Sequence, residues 1–459
     1  MKVAFVHPPP FRVDFPPLGV PYLSASLKES GHKVSSFDFN LELYTEGIIE
    51  KKFWRFENSG CWKQPEILEQ IVPDKKIEEF AHRIIKSGAE LVGISVHVDS
   101  FFLANKISRA LKEKNSQVRI IYGGPYFSRQ MFRIHNLSDG SLSKDVDAYV
   151  IGEGEITLSE IVNQLEAKNE LDDVKGAFIK KNGKIIDCGP RENFRELDRL
   201  PFPDFSEFHP SKYLEKTTLP ILFSRGCINH CSFCRDCVIW GTYRNRSAEN
   251  IVAEMKEHSE KFSAKCFNCA DLMINGNLKM LDELAELLIK EDLNVEWGGM
   301  ALGRASMSQD LLNKLKKAGC IHLDIGVESG SNRVLTLIGK SNLKMSRDLI
   351  KKAYRAGIKV HTMWLIGHSG ETMLDFFKTL YFLFQNRKYF EDVLPNLCHI
   401  PIESKLFENM QKMGIAIDND SCYDTMKWYV GKNNLKERNR RQKIFMKFAH
   451  LAKIPLRDT

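Results

Sequence analysis

Short, almost wholly apolar runs stand directly before stretches with helical spacing in this chain, and the pairing recurs along two long segments. That alternation constrains the fold more than any other feature. Through residue 165 the runs "KVAFVHP" (2–8), "KVSSFDFN" (33–40), "LVGISVHV" (91–98), "VRIIYGG" (118–124) and "AYVIGEG" (148–154) read as strands. "GVPYLSASLKESGH" (19–32) and "FLANKISRALKEKN" (102–115) read as helices. A continuous apolar run fits a strand covered on both faces, and strand–helix alternation predicts an α/β, Rossmann-like, doubly wound parallel sheet. Right-handed crossovers put every strand's C-terminal end on one edge, where ligands bind. The residues expected there are Pro9 and Pro10 after His7, then Val98-Asp99-Ser100, Gly123-Gly124-Pro125 and Gly152-Glu153-Gly154. Glycines at strand ends let the backbone approach a large flat ligand closely.

Residues 166–215 read as a connector, with a hairpin around Asn182-Gly183 and the proline-rich "LPFPDFSEFHP" (200–210). The alternation then restarts. Strands are expected at 220–225, 265–270, 294–299, 321–328, 359–366 and 392–399, with helices such as "LDELAELLIKE" (281–291) and "LLNKLKKAG" (311–319) between them. Such units predict a (βα)6 partial TIM barrel over 216–400, with its site at the strands' C-terminal ends. Residues 401–459 form a small C-terminal extension without a clear repeat. In it "KERNRRQK" (436–443) reads as a solvated basic helix face, and "DTMKWYVGKNN" (424–434) as a segment able to close over a substrate. The expected division is 1–165, 166–215, 216–400 and 401–459.

A net charge of +7 over 459 residues is mild and calls for no nucleic-acid partner. No apolar run reaches the ~20 residues of a membrane span, and "MKVAFVHPPP" turns to proline too early for a signal peptide. A cytoplasmic location is expected. Eleven cysteines in such a chain argue against a disulfide framework. Scattered ones (Cys61, Cys188, Cys320, Cys422) read as ordinary buried residues, as do Cys266, Cys269 and Cys398, although Cys269 and Cys398 fall where a barrel cavity would be.

The clustered ones differ. "SRGCINHCSFC" (224–234) places Cys227, Cys231 and Cys234 in a C-x3-C-x2-C pattern just after the first barrel strand. A structural zinc site takes four ligands, commonly from two separated pairs. No second pair lies at that spacing, although Cys237 and His230 leave a zinc knuckle open. Cysteine thiolates also hold iron–sulfur clusters. Three thiolates on a four-iron cluster leave one iron free for a chelating ligand.

With Phe233 before the last cysteine, this stretch resembles the radical SAM superfamily. The resemblance implies a 4Fe-4S cluster on Cys227, Cys231 and Cys234. It also implies S-adenosylmethionine (SAM) on the fourth iron and a 5'-deoxyadenosyl radical that removes hydrogen from a substrate. "FNCADLMINGN" (267–277) looks like the family's second-strand segment, with Asp271 and Asn275 as polar candidates. "GVESGS" (326–331) is similar to the fourth-strand motif, in which Glu328 and Ser329 would face SAM. "WLIGHSGET" (364–372) resembles the fifth-strand motif along the adenine, and Arg304 is a candidate for the SAM carboxylate.

The N-terminal segments resemble the cobalamin-binding domain of one radical SAM subgroup, and "RELDRLPFPDF" (195–205) matches its connector. The resemblance runs over about residues 1–400. The D-x-H-x-x-G motif that supplies a histidine to cobalt is absent: His7 and His97 lie at strand ends without that context, and cobalamin bound without a histidine ligand is expected. The resemblance implies methylation of an unactivated carbon from methylcobalamin, with a second SAM remethylating cobalt. A small-molecule, lipid or peptide substrate is implied, with an external electron donor such as flavodoxin or ferredoxin. The alternatives are a cyclase, oxidase or rearrangement enzyme with the same cofactors, a methylthiotransferase, and a non-enzymatic cobalamin sensor. The methylthiotransferase would need a second cysteine cluster, and before Cys227 only Cys61 and Cys188 occur.

Overall fold

The structure, a computed structural model, describes residues 1–134, 142–304, 306–340, 342–417 and 426–457, with the side chains of Phe56, Glu57 and Ile134 left aside. The chain divides into two compact units, Met1–Pro220 and Ile221–Asp458.

The first unit is built on one sheet. Its strands are β1 (Lys2–His7), β2 (Lys33–Asp38), β3 (Leu91–Ser95), β4 (Arg119–Gly123), β5 (Ala148–Val150), β6 (Ala177–Lys181) and β7 (Lys184–Asp187), in the spatial order β2-β1-β3-β4-β5-β6-β7. The first five run parallel, and Val3 pairs with both Val34 and Leu91. Alternation along β1 explains its continuous apolar run: Ala4 and Val6 enter one hydrophobic cluster, with Phe39, Phe80 and Ile107, while Val3 and Phe5 enter a second, with Ile121, Ile161 and Leu165. The helix Asp74–Lys86 covers one face with Ile77, Phe80, Ala81 and Ile84, spaced as a single stripe.

The hairpin expected in the connector joins this sheet instead. β6 pairs antiparallel with β5, through Tyr149 opposite Phe178, and β7 closes the edge. Asn182 and Gly183 both have positive φ, 52° and 75°, as a tight two-residue turn requires. The physical reason is burial: Ala177, Phe178 and Ile179 are apolar and lie within 3% exposure, so the hairpin completes the core rather than spanning solvent. The helix Gly154–Lys168 also runs past residue 165.

The second sheet contains β8 (Thr218–Ile221), and the short β9 (Ser224–Arg225) and β10 (Arg244–Asn245) pair antiparallel beside it. β11 (Cys266–Cys269), β12 (Glu296–Ala301), β13 (Cys320–Glu328), β14 (Lys359–Ile366) and β15 (Asp392–Leu397) complete it, in the order β15-β14-β13-β12-β11-β8. β11 to β15 are parallel neighbours in sequence order, each joined to the next through a helix, which is the partial-barrel arrangement.

In the C-terminal extension the helix Leu435–Leu451 packs on the barrel. Its basic run is solvated only in part: Lys436, Arg440 and Lys443 are exposed, whereas Arg438 is fully buried and Arg441 nearly so, because they face the barrel side of the helix. Arg438 lies over the Trp428 ring, 3.8 Å from its centroid, and donates to the carbonyls of Met426 (2.6 Å) and Trp428 (3.1 Å). Arg441 pairs with the buried Glu371 at 3.0 Å. Cys422 and the start of the 424–434 segment lie outside the described residues. Among the described residues no helix is long and apolar enough to cross a membrane.

Candidate cluster and cofactor sites

Cys227, Cys231 and Cys234 lie in the loop between β9 and β10. Backbone bonds pin that loop: Ser232 N donates to Ile338 O at 2.7 Å, and Leu406 N to Ser232 O at 2.8 Å. Cys231 is buried among Val334, Ile338, Leu365, Cys398 and Ile400, and Phe233 packs against the same cluster. Cys227 Sγ accepts from Asn229 N at 3.4 Å and lies 3.6 Å from Met273 Sδ. Burial raises the Cys227 thiol, with Lys340 opposing, and pushes Cys231 up to about 12. Cys234 is raised chiefly by its contact with Cys237 and then by burial. Such thiols lose their protons when a metal takes the proton's place. Among the described residues no three His, Cys, Asp or Glu side chains converge on a single-ion position. Three thiolates that bind three different irons need not converge, so the donor set fits a four-iron cluster.

The polar candidates around this loop are engaged with protein. Asp271 is buried and accepts from Phe223 N (2.9 Å) and Ser224 Oγ (2.5 Å), tying the segment before Cys227 to the end of β11; burial raises its carboxyl to about 7. Asn275, fully buried, donates to Leu302 O at 2.8 Å and accepts from Leu302 N at 3.0 Å. Arg304 donates to the carbonyls of Asn275 (2.6 Å) and Gly276 (2.8 Å). These three side chains brace the loops beyond β11 and β12.

Glu328 is not a surface carboxylate. It ends β13 at a register shift against β14 with φ of +67°, a left-handed conformation that costs energy in a residue with a Cβ. Its Oε1 receives Lys340 Nζ at 2.7 Å, and the Lys340 and Glu328 side chains are only 7% and 12% exposed. Sequence reading missed Lys340, because nothing in a separation of twelve residues marks the pair. Ser329 is buried: its Oγ accepts from Ser331 N at 3.2 Å and lies 3.4 Å from Thr379 Oγ1. The hydroxyl expected to face SAM is thus turned into the packing against the helix Met373–Asn386. Gly330 makes that packing feasible, since a Cβ there would lie 2.5 Å from Thr379 Cα. After β14, His368 is fully buried, held near 4 by desolvation, and its Nε2 lies 3.4 Å from Ser232 Oγ.

In the first unit, the expected residues follow the C-terminal ends of β1, β3, β4 and β5. His7 ends β1, ahead of a cis Pro9–Pro10 peptide. Val98 is exposed and Asp99 pairs with Lys63 at 2.9 Å. Ser100, fully buried, holds the turn through His97 N at 2.9 Å. Gly124, with φ of +99°, lies so close to Val96 that a Cβ would stand 2.7 Å from its carbonyl oxygen. Gly123 ends β4, and Pro125 follows Gly124 in the same turn. Gly152 opens onto empty space, and Glu153, between it and Gly154, accepts from Phe194 N at 2.6 Å. Burial lowers His7 to about 3 and His97 to about 4, so both imidazoles are neutral. A buried imidazole with neither ring nitrogen satisfied, on the same sheet edge as the open Gly152, fits a large ligand there.

The family model of the radical SAM superfamily matches residues 221–383, and that of the B12 binding domain residues 10–162. The chain is a cobalamin-dependent radical SAM protein. This cobalamin-dependent radical SAM protein is 26% identical over 387 residues to an uncharacterised methyltransferase of Pyrococcus horikoshii, covering 81% of this chain and 75% of that one. With the cytidylyl-2-hydroxyethylphosphonate methyltransferase of Streptomyces wedmorensis it shares 28% identity, over 80% of this chain and 72% of that one. The anaerobic magnesium-protoporphyrin IX monomethyl ester cyclase of Rubrivivax gelatinosus is 24% identical, over 81% and 63%. Among solved structures, the methyltransferase TsrM from Kitasatospora setae superposes with a TM-score of 0.71 at 14% identity, over 92% of this chain and 81% of that one. The cobalamin-dependent enzyme OxsB gives 0.67 at 18%, over 99% and 61%. The radical SAM domain implies a 4Fe-4S cluster and SAM, and the B12 binding domain implies cobalamin.

Proposed function

We propose that this radical SAM enzyme methylates an unactivated carbon of a small-molecule, lipid or peptide substrate. One observation carries the reading: a three-thiolate loop at the barrel and a cobalamin-binding sheet occur in one chain whose relatives include methyltransferases. Bound to these sites, the cofactors supply a hydrogen-abstracting 5'-deoxyadenosyl radical and a cobalt-held methyl group. Cys227, Cys231 and Cys234 hold the cluster, and the apolar packing around Cys231 and Phe233 keeps water from it. Lys340 holds Glu328, the carboxylate that would meet SAM, in place and would moderate the charge of the thiolates. Asp271, Asn275 and Arg304 keep the loops around that position rigid. In the first unit, the turn glycines and the His97–Ser100 turn receive the corrin. A reduced external electron donor such as flavodoxin or ferredoxin primes the cluster, in a cytoplasmic setting where thiols stay reduced.

The similarity to cyclases favours one second reading, a radical reaction on the same cofactors without methyl transfer. The test is anaerobic reconstitution with iron, sulfide and hydroxocobalamin, then SAM and a strong reductant. Bound cobalamin, 5'-deoxyadenosine and S-adenosylhomocysteine together are expected. Deoxyadenosine without S-adenosylhomocysteine, once substrate is supplied, transfers the assignment to the cyclase class. Absence of both products refutes either reading.

A further inference from the structure

The absence of a D-x-H-x-x-G motif predicts cobalamin without a histidine ligand, yet the fold brings two histidines to the position where a ligand would lie. β1 has β2 on one side and β3 on the other, so the direction of the crossovers reverses between β1 and β3. An open parallel sheet leaves its ligand crevice at that reversal. His7 is the last residue of β1, and His97 lies two residues beyond the end of β3. The two ring centroids are 6.4 Å apart with an interplanar angle of 88°, and Phe11 lies 4.9 Å from His97 and 4.8 Å from His7. His7 is 2% exposed and neither of its ring nitrogens has a hydrogen-bond partner. Leaving buried polar atoms unpaired is costly, so a group in this place calls for a reason that the protein contacts do not supply. His97 is half-buried, and its backbone is clamped by Ser100, whose Oγ accepts from His97 N (2.9 Å) and whose N–H donates to His97 O (3.1 Å). The His97 backbone is thereby held at the end of the sheet where the crossovers reverse, and its ring lies against those of Phe11 and His7.

We propose that His97 is an axial ligand to the cobalt of cobalamin, on the corrin face turned toward the first sheet, with His7 supporting the ring from behind. An imidazole there adds electron density at cobalt and changes how readily a methyl group leaves its other face.

The test uses the reconstituted protein with its cobalamin reduced to the Co(II) state, and retention is checked by absorbance after gel filtration. Electron paramagnetic resonance reads the axial nitrogen directly. Protein grown with 15N-histidine is expected to convert the three-line superhyperfine splitting of an axial 14N into two lines. His97→Ala is expected to abolish the splitting while cobalamin is still retained, and His7→Phe to keep it. A three-line splitting indifferent to the histidine label assigns the axial position to the cofactor's own base and overturns the proposal. A spectrum without nitrogen splitting overturns it too, as does a splitting that His7→Phe removes and His97→Ala leaves. The labelled wild-type protein decides the question even where a variant folds poorly. Protein that retains no cobalamin overturns the proposal together with the B12 assignment of this unit.

Discussion

Lys340→Met is the substitution whose cost is tied most directly to the geometry. Lys340 Nζ lies 2.7 Å from Glu328 Oε1 with both side chains almost fully covered. It also donates to Gly326 O at 2.5 Å, holding the bulge that places Glu328 at positive φ. Methionine preserves the apolar stem and removes the charge. A buried carboxylate then stays behind without its cation, a change that costs about 3–5 kcal/mol in proteins. In a unit of this length each kcal/mol moves the midpoint by about 2–4 °C, so the low end of that range shifts it by about 6–12 °C. The assay is urea and thermal unfolding of the cluster-free protein under anaerobic conditions, where no cofactor contributes to the balance. Lys340→Met combined with Glu328→Gln should recover at least half of the loss, since a neutral amide tolerates the site better than an unpaired charge. A Lys340→Met protein within about 0.5 kcal/mol of wild type would refute the reasoning. It would mean that Glu328 turns out to solvent freely and that the bulge holds itself.

Replacing Cys231 with alanine should remove most of the bound iron and the cluster's visible absorbance, while far-ultraviolet circular dichroism stays native; full iron content would show that this thiol is not a ligand. Asp271→Asn probes linkage. The folded carboxyl sits near 7 against an ordinary value of 3.8, so the folded state binds the proton more tightly and this group's contribution falls as pH rises from about 4 to 7. Relative to wild type the variant should gain about 2.5 kcal/mol between pH 5 and pH 8, read from urea midpoints; a difference independent of pH contradicts the assignment. Gly330→Ala should destabilise by about 1–3 kcal/mol because its methyl meets the Thr379 backbone, and Thr379→Gly should not rescue it, since the clash is with main chain.

Most strands could be read from sequence because each was an apolar run short enough to be a strand and closed by glycine or a helix signal. The observed β14 coincides with the expected 359–366, and β13 differs from its expected span by a single residue. The cysteine loop was equally plain, because ligand spacing is a local property. Residues whose meaning depends on distant neighbours were not legible. The buried side of the basic run at 436–443, Arg438 and Arg441, was not visible, because charge pattern alone says nothing about a Trp428 ring or a buried Glu371 waiting for it. Ser329 looked like a ligand contact because its motif is local, whereas its commitment to Thr379 arises fifty residues away. The hairpin at 176–187 was visible as a hairpin but not as the edge of the first sheet, since pairing partners lie outside any sequence window.

Hydrophobic periodicity and cysteine spacing, both set by geometry within a few residues, determined the two α/β units and the thiolate loop from sequence alone. Only the tertiary structure decided that Lys340 neutralises Glu328, that Arg438 and Arg441 belong to the interior, and that His7 and His97 meet at the reversal of one sheet. Those pairings join residues from ten to ninety positions apart, and burial, which makes each of them energetically consequential, exists only once the sheets have formed.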